Sequence, residues 1–153
     1  MQRLIIAFKT ITSIACVATI LLTYAFMVEK GQITISDDSQ VHYQVANLFY
    51  LALTVFIAIS LLFLISKRMI TIFGSSNRDS GSKSNQFLNK FTIWLDGLHS
   101  SINILFMSIV AHVGFINSES GLNLSNFSFV LYLGPIAIGI ALMGLAYIIF
   151  NRN

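Results

Sequence analysis

Apolar and polar positions alternate along this chain in blocks rather than residue by residue. Four long apolar stretches cover residues 5–28, 45–66, about 97–116 and 127–150. Each supplies the 20 or so residues that a helix needs to cross a hydrocarbon core of about 30 Å. A segment in lipid must bond its own backbone groups, so the pattern predicts four helices rather than strands. Before the third stretch the pattern changes. Phe87, Leu88, Phe91, Trp94, Leu95 and Leu98 recur at helical spacing while Asn89, Lys90 and Asp96 fall on other sides, which predicts an amphipathic helix. Its stripe is in phase with the start of the third span, so a continuous helix is expected. Residues 74–85 are rich in Ser and Gly and read as a linker. Residues 32–36, with the sequence QITIS, alternate as a brief strand or hairpin edge does.

Composition agrees with that reading. The 153 residues are 56% hydrophobic and 10% charged, whereas a soluble domain carries about a quarter charged residues. The expected fold is an all-α integral membrane protein. It comprises one tetraspan domain over 1–153, with four transmembrane helices in a bundle and an amphipathic lead-in to the third. The apolar run from Thr10 to Val28 is longer than the h-region of about 7–15 residues in a signal peptide, so the first stretch is expected to be an uncleaved span.

Charge gives the orientation. Arg3 and Lys9 lie near the N-terminus and Arg152 near the C-terminus, and Lys67, Arg68, Arg78, Lys83 and Lys90 face a single acid, Asp79, in the 67–90 loop. The 29–44 connection holds Glu29, Asp37 and Asp38 against Lys30, and the 117–127 connection holds only Glu119. Lys and Arg accumulate on the cytoplasmic side, which predicts cytoplasmic termini and a cytoplasmic 67–90 loop. A bacterial inner membrane is the expected location. Asn123 and Asn126 match the glycosylation triplet, a pattern common by chance. The net charge of +3 is too small and dispersed for direct nucleic-acid binding.

Candidate chemistry concentrates in the third span. Asp96, His99, Ser100 and Asn103 fall on one stripe that Met107 and Gly114 continue, and Ser101, Ser108 and His112 form a second on nearly the opposite side. Ionisable groups in spans are costly and point to function. Asp96, however, falls at the expected inner boundary, where Ser100, Lys67, Arg68, Arg3 or Lys9 can partner it. His99 and Asn103 lie deeper and suit hydrogen bonding between helices. His99 and His112 are spaced as stacked haem ligands are, but His42 is the one other histidine, so no haem is expected. Cys16, the sole cysteine, reads as a packing residue. No compact Cys/His cluster and no hydrolase or phosphate-loop motif occurs, so neither a metal, a cofactor nor an enzymatic activity is expected.

Small residues mark contact faces. They are Thr12, Cys16, Thr19 and Thr23 in the first span, Asn47, Thr54 and Ala58 in the second, and Gly134, Ala137, Ala141 and Gly144 in the fourth. These faces serve a bundle, a homo-oligomer or a larger membrane complex. The basic positions Lys67, Arg68, Arg78, Lys83 and Lys90 are candidates for binding a cytosolic protein or anionic lipid. In architecture alone the chain resembles small bacterial membrane proteins: immunity proteins against pore-forming bacteriocins, superinfection-exclusion proteins, and four-span components of phage-defence systems such as Kiwa. The expected function is a non-enzymatic anchor, sensor or immunity or defence component that binds a partner protein. The alternatives are an oligomeric ion or proton channel using the stripe on the third helix and, third, a haem-binding or other membrane enzyme subunit.

Overall fold

The computed structural model describes residues 2–34, 42–75, 83–117 and 129–150. Four helices account for most of them: α1 (Gln2–Met27), α2 (Val45–Ser75), α3 (Lys83–Ile116) and α4 (Val130–Phe150). All four contain segments long and apolar enough to cross a membrane. At 1.5 Å per residue they measure about 39, 46, 51 and 32 Å. α4 thus matches a bilayer core of about 30 Å, while α2 and α3 overrun it by about 16 and 21 Å.

Two helices are longer than the apolar runs suggest. α2 continues nine residues past Ser66, through Lys67 and Arg68, to Ser75. Apolar residues of Met69–Phe73 keep the helix going beyond the charged pair, and no breaker intervenes before Gly74. α3 is one uninterrupted helix from the amphipathic lead-in through Gly97, as the in-phase stripe predicts. α4 begins three residues later than its apolar run, at Val130. Pro135 therefore lies in its second turn and leaves the Leu131 carbonyl without its usual intrahelical donor.

α3 is the hub. It packs against α1, α2 and α4, whereas α1 and α2 meet over a shorter length. Most buried polar groups, and the buried Leu95, Val110 and Val113, belong to it. The outward surfaces of α1, α2 and α4 are lined with exposed Leu, Ile, Phe and Tyr.

A small cap closes one end. After α1 a 3-10 turn at Val28–Lys30 leads into Gly31, whose φ of 69° turns the chain back. L-residues with a side chain rarely adopt that backbone, which accounts for glycine there. β1 (Gln32–Thr34) then pairs antiparallel with β2 (His42–Gln44), with Ile33 opposite Tyr43. Ile33, 1% exposed, clusters with Met27, Val45 and Val113. Lys30 Nζ donates to the Asn117 carbonyl, tying the cap to the end of α3. Beneath it Tyr24 and Phe49 rings lie 4.4 Å apart, and Cys16, Ile20 and Val110 form a second cluster with Phe49, Ala52 and Phe56.

The close approach of α4 to α3 rests on glycine. A Cβ on Gly134 would sit 2.6 Å from Leu105 Cα and strike its side chain as well. Further along, Trp94 Nε1 donates to the Ala141 carbonyl at 2.7 Å, and Gly144 lies against the same indole. The small face of α4 is thus spent on α3. On α1, Thr12 and Cys16 are buried and Thr23 meets Gly114. The small face expected on α2 does not serve the bundle: Asn47, Thr54 and Ala58 are exposed. α2 turns Leu48, Phe49, Ala52 and Phe56 inward instead.

Candidate functional site

The candidate site lies at the basic end of the bundle, where α1, α2 and α3 carry Lys9, Lys67 and Asp96. The Asp96 side chain is 5% exposed and accepts from Lys9 Nζ at 3.0 Å on one oxygen and from Lys67 Nζ at 2.7 Å on the other. One carboxylate therefore joins three helices. Of the four cations that the sequence offers as partners, the geometry selects these two. The reason is rotational: α3 turns Asp96 into the angle between α1 and α2, and Lys9 and Lys67 are the residues at that level on the facing sides.

The other polar residues divide according to whether they reach another helix. Ser100 donates to the main-chain carbonyl of Asp96, Ser101 to that of Gly97 and Ser108 to that of Ile104. These hydroxyls satisfy themselves on their own helix, as Ser and Thr do in apolar surroundings. Thr12, Thr19, Ser66 and Thr71 do the same on α1 and α2. Asn103 reaches out: its Nδ2 donates to Ser13 Oγ of α1 at 3.0 Å. His99 stacks flat on Phe63 of α2, centroids 4.7 Å apart and planes 1° from parallel. The His99 ring is 4% exposed, yet neither nitrogen has a hydrogen-bond partner. A buried donor without a partner costs about 1–3 kcal/mol.

Near this cluster α1 and α2 part. Toward the cap they close together with α3 around a void of only about 20 Å³ beside Ile20, Phe49 and Val110, and a pocket of about 330 Å³ opens beside Tyr24, Val28, Val45 and Ala46 under the hairpin. Their basic-end halves leave an open cleft of about 720 Å³. Lys9 and Ser13 form its α1 wall, and His99 contributes from α3. The α2 wall is a single helical face of Phe56, Ser60, Leu64 and Arg68 at four-residue steps, with Lys67 and Thr71 beside it. This cleft escaped the sequence reading. The signal that points to it is that regular α2 face, which passes from aromatic through hydroxyl and aliphatic to cationic within 12 residues.

The remaining candidates are placed as follows. Lys90 is exposed on the lead-in of α3, on which Phe87, Phe91 and Trp94 stack in succession. Arg78 lies outside the described residues, as do Asn123 and Asn126, and the side chain of Lys83 is not among those described. His112 is half-buried, about 20 Å along α3 from His99. Among the described residues no three His, Cys, Asp or Glu side chains converge as metal ligands do.

The arrangement can neutralise and orient charge: one buried carboxylate braces two ammonium groups at the mouth of a partly apolar cleft. No family model, curated relative or solved structure matches the chain, so function has to be inferred from this geometry.

Proposed function

We propose that the protein is a non-enzymatic, multi-pass component of a bacterial inner membrane, with both termini cytoplasmic. In this reading it acts as an anchor, sensor or immunity or defence factor that binds a partner protein. The observation that carries it is the overrun of α2 and α3. From the level of the Asp96 node, α2 continues to Ser75 and α3 begins at Lys83. At 1.5 Å per residue these extensions reach about 12 and 20 Å beyond the node. The connection between them carries Arg78 and Asp79 amid Ser and Gly, and Lys90 is exposed on α3. A basic helical hairpin projecting from a bilayer suits an acidic surface on a cytosolic protein.

The exposed α2 face of Asn47, Thr54 and Ala58 supports a second contact, within the membrane. Small and polar residues favour close helix approach in lipid, and none of the described helices covers them. A second copy or another membrane subunit is the proposed occupant.

The channel alternative draws less support. Asp96 is neutralised by Lys9 and Lys67, Asn103 is bonded to Ser13, and the serines are closed onto their own helix. That stripe holds three helices together and leaves few groups to line a pore.

Purification in mild detergent, followed by mass spectrometry and native mass measurement, tests the proposal. The expected result is a co-purifying soluble protein that is lost when Arg78, Lys83 and Lys90 are changed to Gln while membrane abundance is kept. A monomer without a partner refutes it, and cation flux in liposomes that depends on Asp96 and Asn103 establishes the pore instead.

A further inference from the structure

We infer that the cleft between α1 and α2 is a binding site for one anionic phospholipid, whose phosphate lies among Lys9, Lys67 and Arg68 and whose acyl chain runs along Leu64 and Phe56. Charge comes first. Asp96 offers one negative charge to two lysines, and Arg68, exposed at the same rim, has no ion pair among the described residues. The mouth of the cleft therefore holds two positive charges in excess. Both lysines keep donor capacity after bonding Asp96, since an ammonium has three N–H groups. Asp96 holds them in place, so a phosphate ester meets cations already positioned.

The second observation is independent of charge. His99 contributes to the cleft, is 4% exposed, and has two nitrogens without partners. It lies three residues along α3 from Asp96, about 4.5 Å deeper. A phospholipid with its phosphate at the lysines carries its ester carbonyls below the phosphate, at the depth of the imidazole, whose covered nitrogens it reaches once the ring turns off Phe63 toward the cleft.

Length and polarity favour a lipid over a soluble phosphate ester. From Arg68 to Phe56 the α2 face runs 12 residues, about 18 Å, close to the roughly 15 Å of one leaflet's hydrocarbon. Leu64 on this face, with Leu61 and Ile65 beside it, is more than half exposed. A soluble anion neutralises the cations and leaves that wall uncovered, whereas a lipid answers both ends.

The test is binding to the full-length protein in neutral detergent, read by native mass spectrometry titration. The probes are phosphatidylglycerol, phosphatidylcholine, glycerol phosphate and inorganic phosphate. Phosphatidylglycerol should bind at least about tenfold tighter than phosphatidylcholine, since each basic residue near the surface is worth roughly a fivefold factor toward anionic lipid. Arg68→Gln, which breaks no ion pair among the described residues, should cost about fivefold. Ser60→Phe, which fills the cleft without touching charge, should abolish the preference for phosphatidylglycerol, and Lys90→Gln, outside the cleft, should leave it unchanged. Equal binding of the two lipids overturns the inference. So does a Lys90→Gln loss equal to that of Arg68→Gln, which signals diffuse attraction, or undiminished binding to a folded Ser60→Phe. Glycerol phosphate or inorganic phosphate binding as tightly as phosphatidylglycerol assigns the cations to a soluble phosphate instead. Cooperative unfolding of each variant, followed through Trp94, separates loss of the site from loss of the fold.

Discussion

Removing the charges around Asp96 one at a time should expose their interdependence. Asp96→Asn leaves two ammonium groups without a carboxylate. Truncating one partner of a fully buried pair costs about 3–5 kcal/mol. The lysine side chains are 29% and 30% exposed, so water screens part of that loss and about 2–3 kcal/mol is expected. Lys9→Met and Lys67→Met should each cost only about 1 kcal/mol, because the other lysine still holds the carboxylate. The double substitution differs in kind. It strands a carboxylate that is 5% exposed, and the cost should rise to about 3–5 kcal/mol, exceeding the sum of the singles by at least about 1 kcal/mol. Adding Asp96→Leu should recover most of the loss, because replacing a whole buried ionic cluster by apolar residues is often neutral. Reversible unfolding in mixed micelles, followed through the fluorescence of the single tryptophan, measures all five variants against the unsubstituted protein. Additive lysine effects, or a triple variant no more stable than the double, would refute the claim that Asp96 is a shared ionic hub.

The other contacts give sharper, local expectations. Gly134→Ala should destabilise by about 1–3 kcal/mol through overpacking against Leu105, while Gly139→Ala, whose added methyl meets nothing within 4 Å, should be neutral or stabilising; equal unfolding midpoints would contradict this. Trp94→Phe should cost about 1 kcal/mol with the lost bond to the Ala141 carbonyl, and a Trp94 emission that is unchanged by Gly134→Leu would show that α4 does not move as a unit against α3. A double-mutant cycle on Asn103→Ala and Ser13→Ala should give a coupling of about 0.6 kcal/mol, the usual size for such bonds between membrane helices; zero coupling removes the bond from the account. Cys16, 0% exposed, should resist a membrane-permeant maleimide until the bundle is unfolded, as mass shift will report.

The helices and the continuity of α3 were legible because they depend on local pattern alone. A stripe at 87, 88, 91, 94 and 95 that stays in phase with the following apolar run leaves no reason for a break. The face of α4 was legible for a related reason: glycine and alanine at Gly134, Ala137, Ala141 and Gly144 permit an approach that larger residues forbid. On α2 the same rule marks a face that the bundle does not use: Asn47, Thr54 and Ala58 stay exposed, and α2 packs inward through Phe49 and Phe56. Asp96 could be given a set of cations by level along the helix, yet choosing Lys9 and Lys67 required the rotation of three helices. The cleft was not legible at all, since it arises from how α1, α2 and α3 sit side by side, which no local pattern encodes.

The same arrangement bears on why the least apolar helix occupies the centre. α3 is a poor lipid-facing segment, with Asp96, His99 and Asn103 within two turns, but each of these residues points at α1 or α2 rather than outward. The polar groups therefore favour assembly: α3 is costly in lipid alone and becomes tolerable only against its two neighbours. Asp96 and Asn103 are satisfied by that assembly, whereas His99 gains a stacking surface and no hydrogen bond. If the stripe were only glue, Leu or Phe at position 99 would pack on Phe63 at least as well and strand no donor. An imidazole there, beside a cleft that the surrounding helices leave open, makes physical sense when a ligand in the cleft accepts a hydrogen bond from its N–H.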